Sequence, residues 1–99
     1  MIKIEKEHLN EVVTILGTFV PGCEVRAFGS RVTGSSFPYS DLDLVIVGEK
    51  KLEWKCIEDL KNAFSDSNLP IMVDVLDWHS ISGNFQKLIE QNYEVVRQR

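Results

Sequence analysis

Residues 41–47 read DLDLVIV, and this run constrains the fold more than any other part of the sequence. Its charged and apolar residues alternate with a period of two, which is typical of a strand that turns one face toward a core. Gly48 ends the run. One face carries Asp41, Asp43, Val45 and Val47, and the other carries Leu42, Leu44 and Ile46. We therefore expect a sheet that presents carboxylates on one of its faces.

The rest of the chain alternates between helical and extended patterns. Apolar residues three or four positions apart predict helices over 5–19 and 51–64, and a last helix around Phe85, Leu88 and Ile89. Short apolar or alternating runs predict strands over 23–28 and 71–76, the second apolar enough to be buried on both faces. Residues 93–96 either extend the last helix or form a short strand. This order predicts an α/β or α+β fold, with a small mixed sheet of three to four strands and helices packed on it.

Length and charge exclude several classes of protein. The 99 residues are 43% hydrophobic and 26% charged, which predicts one folded domain over residues 1–99. The formal net charge is −4, so a protein that grips long nucleic acid through clustered Lys and Arg is not expected. No stretch approaches the roughly 20 apolar residues that cross a membrane. Cys23 and Cys56 form no zinc-type pair, and we expect free thiols in a reduced, cytoplasmic protein.

Gly29 and Ser30 follow the strand predicted over 23–28 and form a candidate phosphate turn. Glycine lets the backbone approach a ligand closely, and the N–H groups at the start of a helix point toward an anion. The residues that follow, 35–40, are predicted to form a turn, because Pro38 prevents a long helix there.

Carboxylates come soon after this turn. Asp41 and Asp43 would stand about 6.5–7 Å apart along one strand face, which suits two divalent ions about 3.5–4 Å apart. Oxygen ligands without Cys or His nearby favour Mg²⁺ or Mn²⁺ over Zn²⁺. Asp74 is the candidate for a third ligand, because an aspartate inside an apolar strand is costly unless it is paired or bound to a metal. Asp77 has the opposite strand parity, and we interpret it as a cap or turn residue.

These motifs resemble a known family. Gly29-Ser30, ten intervening residues and Asp41-x-Asp43 resemble the signature of the DNA polymerase beta nucleotidyltransferase superfamily. The segments FGSR at 28–31, SDLDL at 40–44 and VDVLD at 73–77, with Gly34, are similar to its minimal nucleotidyltransferase branch. The resemblance covers nearly the whole chain and implies a polymerase-beta-like nucleotidyltransferase fold.

The resemblance also implies an activity, the transfer of AMP from ATP to a hydroxyl group with the help of two Mg²⁺ ions. Asp41 and Asp43 would bind both ions. Asp74 would bind the catalytic ion and help to deprotonate the acceptor hydroxyl. These three aspartates are the candidate catalytic residues and metal ligands.

The same resemblance implies roles around the nucleotide. Ser30 and the backbone after Gly29 would hold the terminal phosphates of ATP. Arg31 would add a positive charge beside the triphosphate. Ser40 would orient Asp41 or cap the turn.

A partner is implied as well. Small proteins of this branch resemble the antitoxin half of type VII-like toxin–antitoxin pairs, whose other half is a helical HEPN-type ribonuclease toxin encoded nearby. Such an antitoxin is expected to bind the toxin and to place AMP on one of its tyrosines, so a hetero-oligomer is expected. Trp54 lies off the apolar stripe of its predicted helix and is a candidate for the partner surface.

Two alternative functions stay open at this point. Thr33 and Phe37 occupy positions where relatives often carry basic residues, so a non-catalytic antitoxin that acts through binding, with a vestigial site, is the first alternative. The second is an adenylyltransferase that modifies a small molecule, which the lack of a second domain in the predicted organisation disfavours.

Overall fold

The structure of the protein, a computed structural model, describes residues 2–35 and 40–98. The turn predicted over residues 35–40 therefore lies largely outside the described residues, and so do Phe37 and Pro38. The elements are, in chain order, α1 (Lys6–Phe19), β1 (Glu24–Phe28), α2 (Ser30–Thr33), β2 (Leu42–Val47), α3 (Trp54–Ser65), β3 (Val73–Asp77), a 3₁₀ turn (Trp78–Ser80), α4 (Gly83–Glu90) and β4 (Glu94–Arg97).

The described strands form one mixed sheet in the order β3-β2-β1-β4. Strand β1 runs antiparallel to both β2 and β4, whereas β2 and β3 are parallel and are connected through α3. A parallel pair needs such a crossover, because a tight turn can only connect antiparallel strands. The predicted small mixed sheet is confirmed. The open question about residues 93–96 is answered by β4, which pairs with β1.

The core lies between one face of the sheet and the helices α1 and α3. The alternation predicted for residues 41–47 is observed, since the side chains of Leu42, Leu44 and Ile46 are fully buried in this core. Leu16 and Leu60 meet them from the two helices. Burying each large aliphatic side chain contributes about 1.5–3 kcal/mol, so this face of β2 anchors the strand that carries Asp43.

Strand β3 differs from the prediction. Residues 71–76 were expected to be buried on both faces, but β3 is the outermost strand on its side of the described sheet, and Asp74 is exposed. Met72, just before the strand, is 68% exposed. Only one face of β3 packs on the core, through Val75. A short apolar run indicates an extended segment, but its position in the sheet depends on which strands pair with it.

The helices agree with their predicted positions except at the start of α3, which begins at Trp54 instead of residue 51. The N–H of Leu52 donates a hydrogen bond to Asp77, 2.8 Å away, and this contact holds the residues directly before α3 out of the helix. Within the described residues, Cys23 and Cys56 form no disulfide, as expected. In the described part of the chain, none of the helices has the length and apolar character needed to cross a bilayer.

Candidate active site

Two of the predicted site residues are brought together by the parallel pairing of β2 and β3. The register aligns Asp43 with Asp74, and the N–H of Leu42 donates to the carbonyl of Met72 at 2.9 Å just before this pair. Neighbouring strands lie about 4.8 Å apart, so the two carboxylates stand side by side on the face opposite the main core. The residues are 31 positions apart in the chain (74 − 43), and only the crossover through α3 makes them neighbours.

Asp41 lies one residue before β2 and is exposed. Burial raises the pKa of the Asp43 carboxyl, and the negative charges of Asp74 and Asp41 raise this pKa further. Asp41 is therefore close enough to act electrostatically on Asp43. The three aspartates form one acidic cluster whose centre is Asp43.

The candidate phosphate turn lies against this cluster. Gly29 precedes α2 with φ 82° and ψ −158°, a backbone conformation that side-chain-bearing residues essentially never adopt. A Cβ atom at this position would overlap Oδ2 of Asp43 and lie 3.3 Å from its Cγ. Gly29 is thus required both by its conformation and by its approach to Asp43. Ser30, the first residue of α2, is partly buried beside it.

Arg31 takes a place that the sequence did not indicate. Its side chain is only 7% exposed and points into the protein. Nε donates to the carbonyl of Ser40 at 2.9 Å, and Nη1 donates to the carbonyl of Lys3 at 2.7 Å. The N–H of Lys3 in turn donates to the carbonyl of Arg31 at 2.8 Å. The guanidinium therefore clamps the N-terminal segment and the start of the Asp41 segment to α2. Its contact with a triphosphate stays a prediction, and no local sequence signal indicated the clamp.

Asp77 does not join the acidic cluster. Its side chain is buried, accepts from the N–H groups of Leu52 and His79 at 2.8 and 3.0 Å, and caps the 3₁₀ turn. Its role as a cap agrees with the sequence-based interpretation. His79 lies beside it, with Nε2 2.7 Å from the carbonyl of Gly48, so this ring nitrogen donates there. Both residues support the loop after β2 and lie away from Asp43.

The acidic cluster has the donor atoms of a metal site but not a formed set of ligands. Within residues 2–35 and 40–98, no three His, Cys, Asp or Glu side chains are already arranged as a set of metal ligands. The donors on the carboxylate face are nonetheless all oxygens, of the kind that Mg²⁺ prefers. Burial is the main cause of the raised pKa of Asp43, and the charges of Asp74 and Asp41 add to it; a divalent cation beside these carboxylates would oppose both effects. The chemistry of the donor set therefore fits a hard divalent cation.

Two aromatic residues that the sequence analysis did not assign to the site complete its wall. Phe28 pairs with Asp43 across β1 and β2, directly before Gly29. Its ring meets that of Phe85 from α4 edge to face, with centroids 5.8 Å apart. A groove of about 810 Å³ is lined by Asp43, Asp74 and this pair, among other residues. The position of Phe28 directly before Gly29-Ser30 could have indicated that it lies at the site. No local sequence feature indicates Phe85, which reaches the site only when the chain folds.

This combination of a mixed sheet, a glycine turn and paired strand carboxylates defines a class of protein. The family model described as "Polymerase beta, Nucleotidyltransferase" matches residues 24–99. The chain belongs to the polymerase beta nucleotidyltransferase family, and the resemblance found in the sequence is confirmed. It is 45% identical over 98 residues to the "Probable protein adenylyltransferase MntA" of Haemophilus influenzae, an alignment that covers 99% of this chain and 86% of that protein.

Solved structures share the fold. A toxin–antitoxin crystal structure with AMP-PNP superimposes with a TM-score of 0.69 at 20% identity, over 92% of this chain and 73% of that one. The toxin–antitoxin MntA–HepT gives a TM-score of 0.64 at 17% identity, over 96% and 74%. A tri-AMPylated Shewanella oneidensis HEPN toxin in complex with MNT antitoxin gives 0.65 at 18%, over 97% and 74%. At these identities the likeness is one of fold.

Proposed function

We propose that this chain transfers AMP from ATP to a hydroxyl group of a partner protein, supported by Mg²⁺ at Asp41, Asp43 and Asp74. The observation that carries the proposal is the register that sets Asp43 between the turn at Gly29 and Asp74 of β3. With this alignment, phosphate, metal and acceptor would bind next to one another. Similarity over almost the full chain to a probable protein adenylyltransferase supports a protein as the acceptor.

The proposed reaction is a displacement at the α-phosphorus of ATP. The acceptor oxygen forms a bond to phosphorus, the bond to the bridging oxygen breaks, and pyrophosphate leaves with that electron pair. The hydroxyl proton passes to the carboxylate of Asp74 and then to water. Bound Mg²⁺ ions would neutralise the phosphate charge and stabilise the attacking and leaving oxygens. The chain's own contribution is to position the reactants.

Residues around the phosphate turn have the supporting roles in this proposal. Ser30 and the backbone after Gly29 hold the terminal phosphates of ATP. Arg31 acts from beneath the turn, because its guanidinium holds the carbonyl of Ser40 and thereby positions Asp41. Its positive charge, on the helix that follows the phosphate turn, would favour a bound anion through its field.

The partner we propose is a HEPN-type toxin encoded beside this chain, and the acceptor is one of its tyrosines. Attachment of AMP would silence the toxin, so the chain would act as the antitoxin of a type VII-like pair in the cytoplasm. The match to solved toxin–antitoxin complexes supports this choice, since their antitoxin fold is the fold described above. A stable hetero-oligomer follows from the same proposal, and the exposed Trp54 is a candidate contact.

The test is the intact mass of the co-purified partner after incubation with ATP and Mg²⁺. We expect the partner to gain one or more AMP groups with the wild-type chain and none with Asp43→Asn. Asp66→Asn is the matched control, because Asp66 is an exposed aspartate at the end of α3. A complex that forms without any mass gain would favour the binding antitoxin, and ATP consumption without a protein partner would favour a small-molecule acceptor.

A further inference from the structure

The groove beside the carboxylates runs along the outer edge of β3. Residues from both faces of the sheet line its volume of about 810 Å³. Lys61 and Phe64 of α3 contribute from the core side, and Phe28 and Phe85 contribute from the carboxylate side. A groove with walls on both sides of one strand has the edge of that strand as its floor.

The groove reaches two of the three clustered aspartates but not the phosphate turn. Asp43 and Asp74 line it, but among the described residues the lining includes neither Gly29 nor Asp41. Across the sheet, the phosphate turn follows β1, Asp43 lies on β2, Asp74 lies on β3, and the groove extends beyond. In phosphoryl transfer the attacking and leaving oxygens lie on opposite sides of phosphorus. With the leaving pyrophosphate at the turn, the acceptor must enter from the β3 side.

The edge of β3 has backbone groups that can pair with another chain. The hydrogen bond from Leu42 N to Met72 O and the unshifted register direct the backbone groups of Met72 and Asp74 toward β2. The N–H and C=O groups of Val73 and Val75 therefore point outward, since they alternate along a strand. An outward-facing edge of this kind is a template for one more strand.

We infer that an extended segment of the acceptor protein binds in this groove, pairs with the outer edge of β3 and places its hydroxyl side chain beside Asp74. The inference rests on the proposed function and names its substrate-binding surface. Met72, which is 68% exposed, and the Phe28–Phe85 pair would contact apolar residues that flank the hydroxyl. Lys61 on the opposite wall selects for an acidic residue in the same segment.

The first test compares one substitution on each edge of the sheet. Met72→Glu places a charge at the groove, and Val95→Glu places one on the opposite edge strand, where Val95 is 41% exposed. We expect Met72→Glu to raise the KM for the HEPN-type partner at least tenfold and to leave ATP affinity unchanged, measured by equilibrium dialysis. Val95→Glu should leave both unchanged. Equal effects of the two substitutions, or none from Met72→Glu while the partner is modified, would overturn the inference.

The second test measures backbone hydrogen exchange in the chain alone and in its complex with the partner. Pairing predicts that the amides of Val73 and Val75 exchange at least tenfold more slowly in the complex. This result does not require AMP transfer, so failure of the proposed chemistry and failure of the docking surface are distinguishable. No added protection in a stable complex would overturn the inference. Slow exchange in the concentrated chain alone would assign the edge to a second copy and would also overturn it.

Discussion

The backbone of Gly29 packs directly against the carboxylate of Asp43, leaving no room for a side chain between the phosphate turn and the acidic cluster. Gly29→Ala would add a methyl group that overlaps Oδ2 of Asp43, in a backbone conformation that itself costs about 1–3 kcal/mol. We expect this variant to lose at least a hundredfold in AMP transfer and to unfold at lower temperature. Transfer assays and thermal unfolding of the same preparation measure both effects.

Gly34→Ala separates the effect of the backbone conformation from the effect of the overlap with Asp43. Gly34 also has a positive φ, 88°, but among the described residues an added Cβ would meet no atom within 4 Å other than those of its chain neighbours. We expect a loss of about 1 kcal/mol in stability, with AMP transfer within a few-fold of wild type. If the two variants lose activity equally, the contact between Gly29 and Asp43 is not what the site requires.

Removing the charge of Asp43 should stabilise the metal-free protein at neutral pH. Burial, then Asp74 and Asp41, raise the pKa of Asp43, so the folded chain binds this proton more tightly than the unfolded chain does. Ionised Asp43 therefore lowers the free energy of unfolding at neutral pH. In EDTA we expect Asp43→Asn to be more stable than wild type by up to about 1 kcal/mol, because solvent screens a partly exposed group.

The pH dependence of this stability difference tests whether folding raises the pKa of Asp43. The advantage of Asp43→Asn should shrink as the pH falls through the folded-state pKa of Asp43, and vanish below the ordinary carboxyl value of about 4. Mg²⁺ should make wild type the more stable of the two proteins, because free Mg²⁺ at a concentration of ten times its Kd stabilises wild type by about 1.4 kcal/mol. Denaturant titrations across pH, with and without Mg²⁺, measure this. An advantage that grows on acidification would contradict the assigned cause.

Asp74 and Asp77 should show opposite phenotypes although they share one strand. Asp77→Ala leaves the N–H groups of Leu52 and His79 without their carboxylate, and each of these partly buried hydrogen bonds contributes about 0.5–1.5 kcal/mol. We expect a clear fall in stability but near-normal AMP transfer by the folded fraction. Asp74→Asn should abolish transfer at nearly unchanged stability, because Asp74 is exposed. Chemical denaturation and partner mass together measure the contrast, and loss of transfer in folded Asp77→Ala would refute the assignment.

Arg31 is expected to act through Ser40. Arg31→Met removes the hydrogen bonds to Ser40 and Lys3, each worth about 1.5–3 kcal/mol when one partner is charged. We expect lower stability and a Mg²⁺ requirement for transfer shifted at least tenfold upward, because the segment before Asp41 is no longer held. Lys55→Met, at an exposed lysine on α3, is the control. An unchanged Mg²⁺ requirement together with a raised KM for ATP would instead favour direct contact with the triphosphate.

Most of the element order and the inward face of β2 could be read from the sequence alone, and so could the cap at Asp77. These depend on local rules, since a period of two assigns Leu42 to the core and sets Asp77 apart from Asp74. The Gly-Ser turn and its spacing to Asp41 also identified the family, because that signature lies within one continuous segment.

Features that depend on contacts between distant segments could be seen only in the folded chain. The register of β2 and β3 makes Asp43 and Asp74 neighbours, and nothing in either segment specifies that alignment. The same pairing leaves β3 at the edge, so a run expected to be buried on both faces borders a groove instead. Arg31 is held by the carbonyls of Lys3 and Ser40, and backbone acceptors leave no mark on the sequence. Local patterns report periodicity, whereas pairing, burial and hydrogen-bond partners are set by how the whole chain packs.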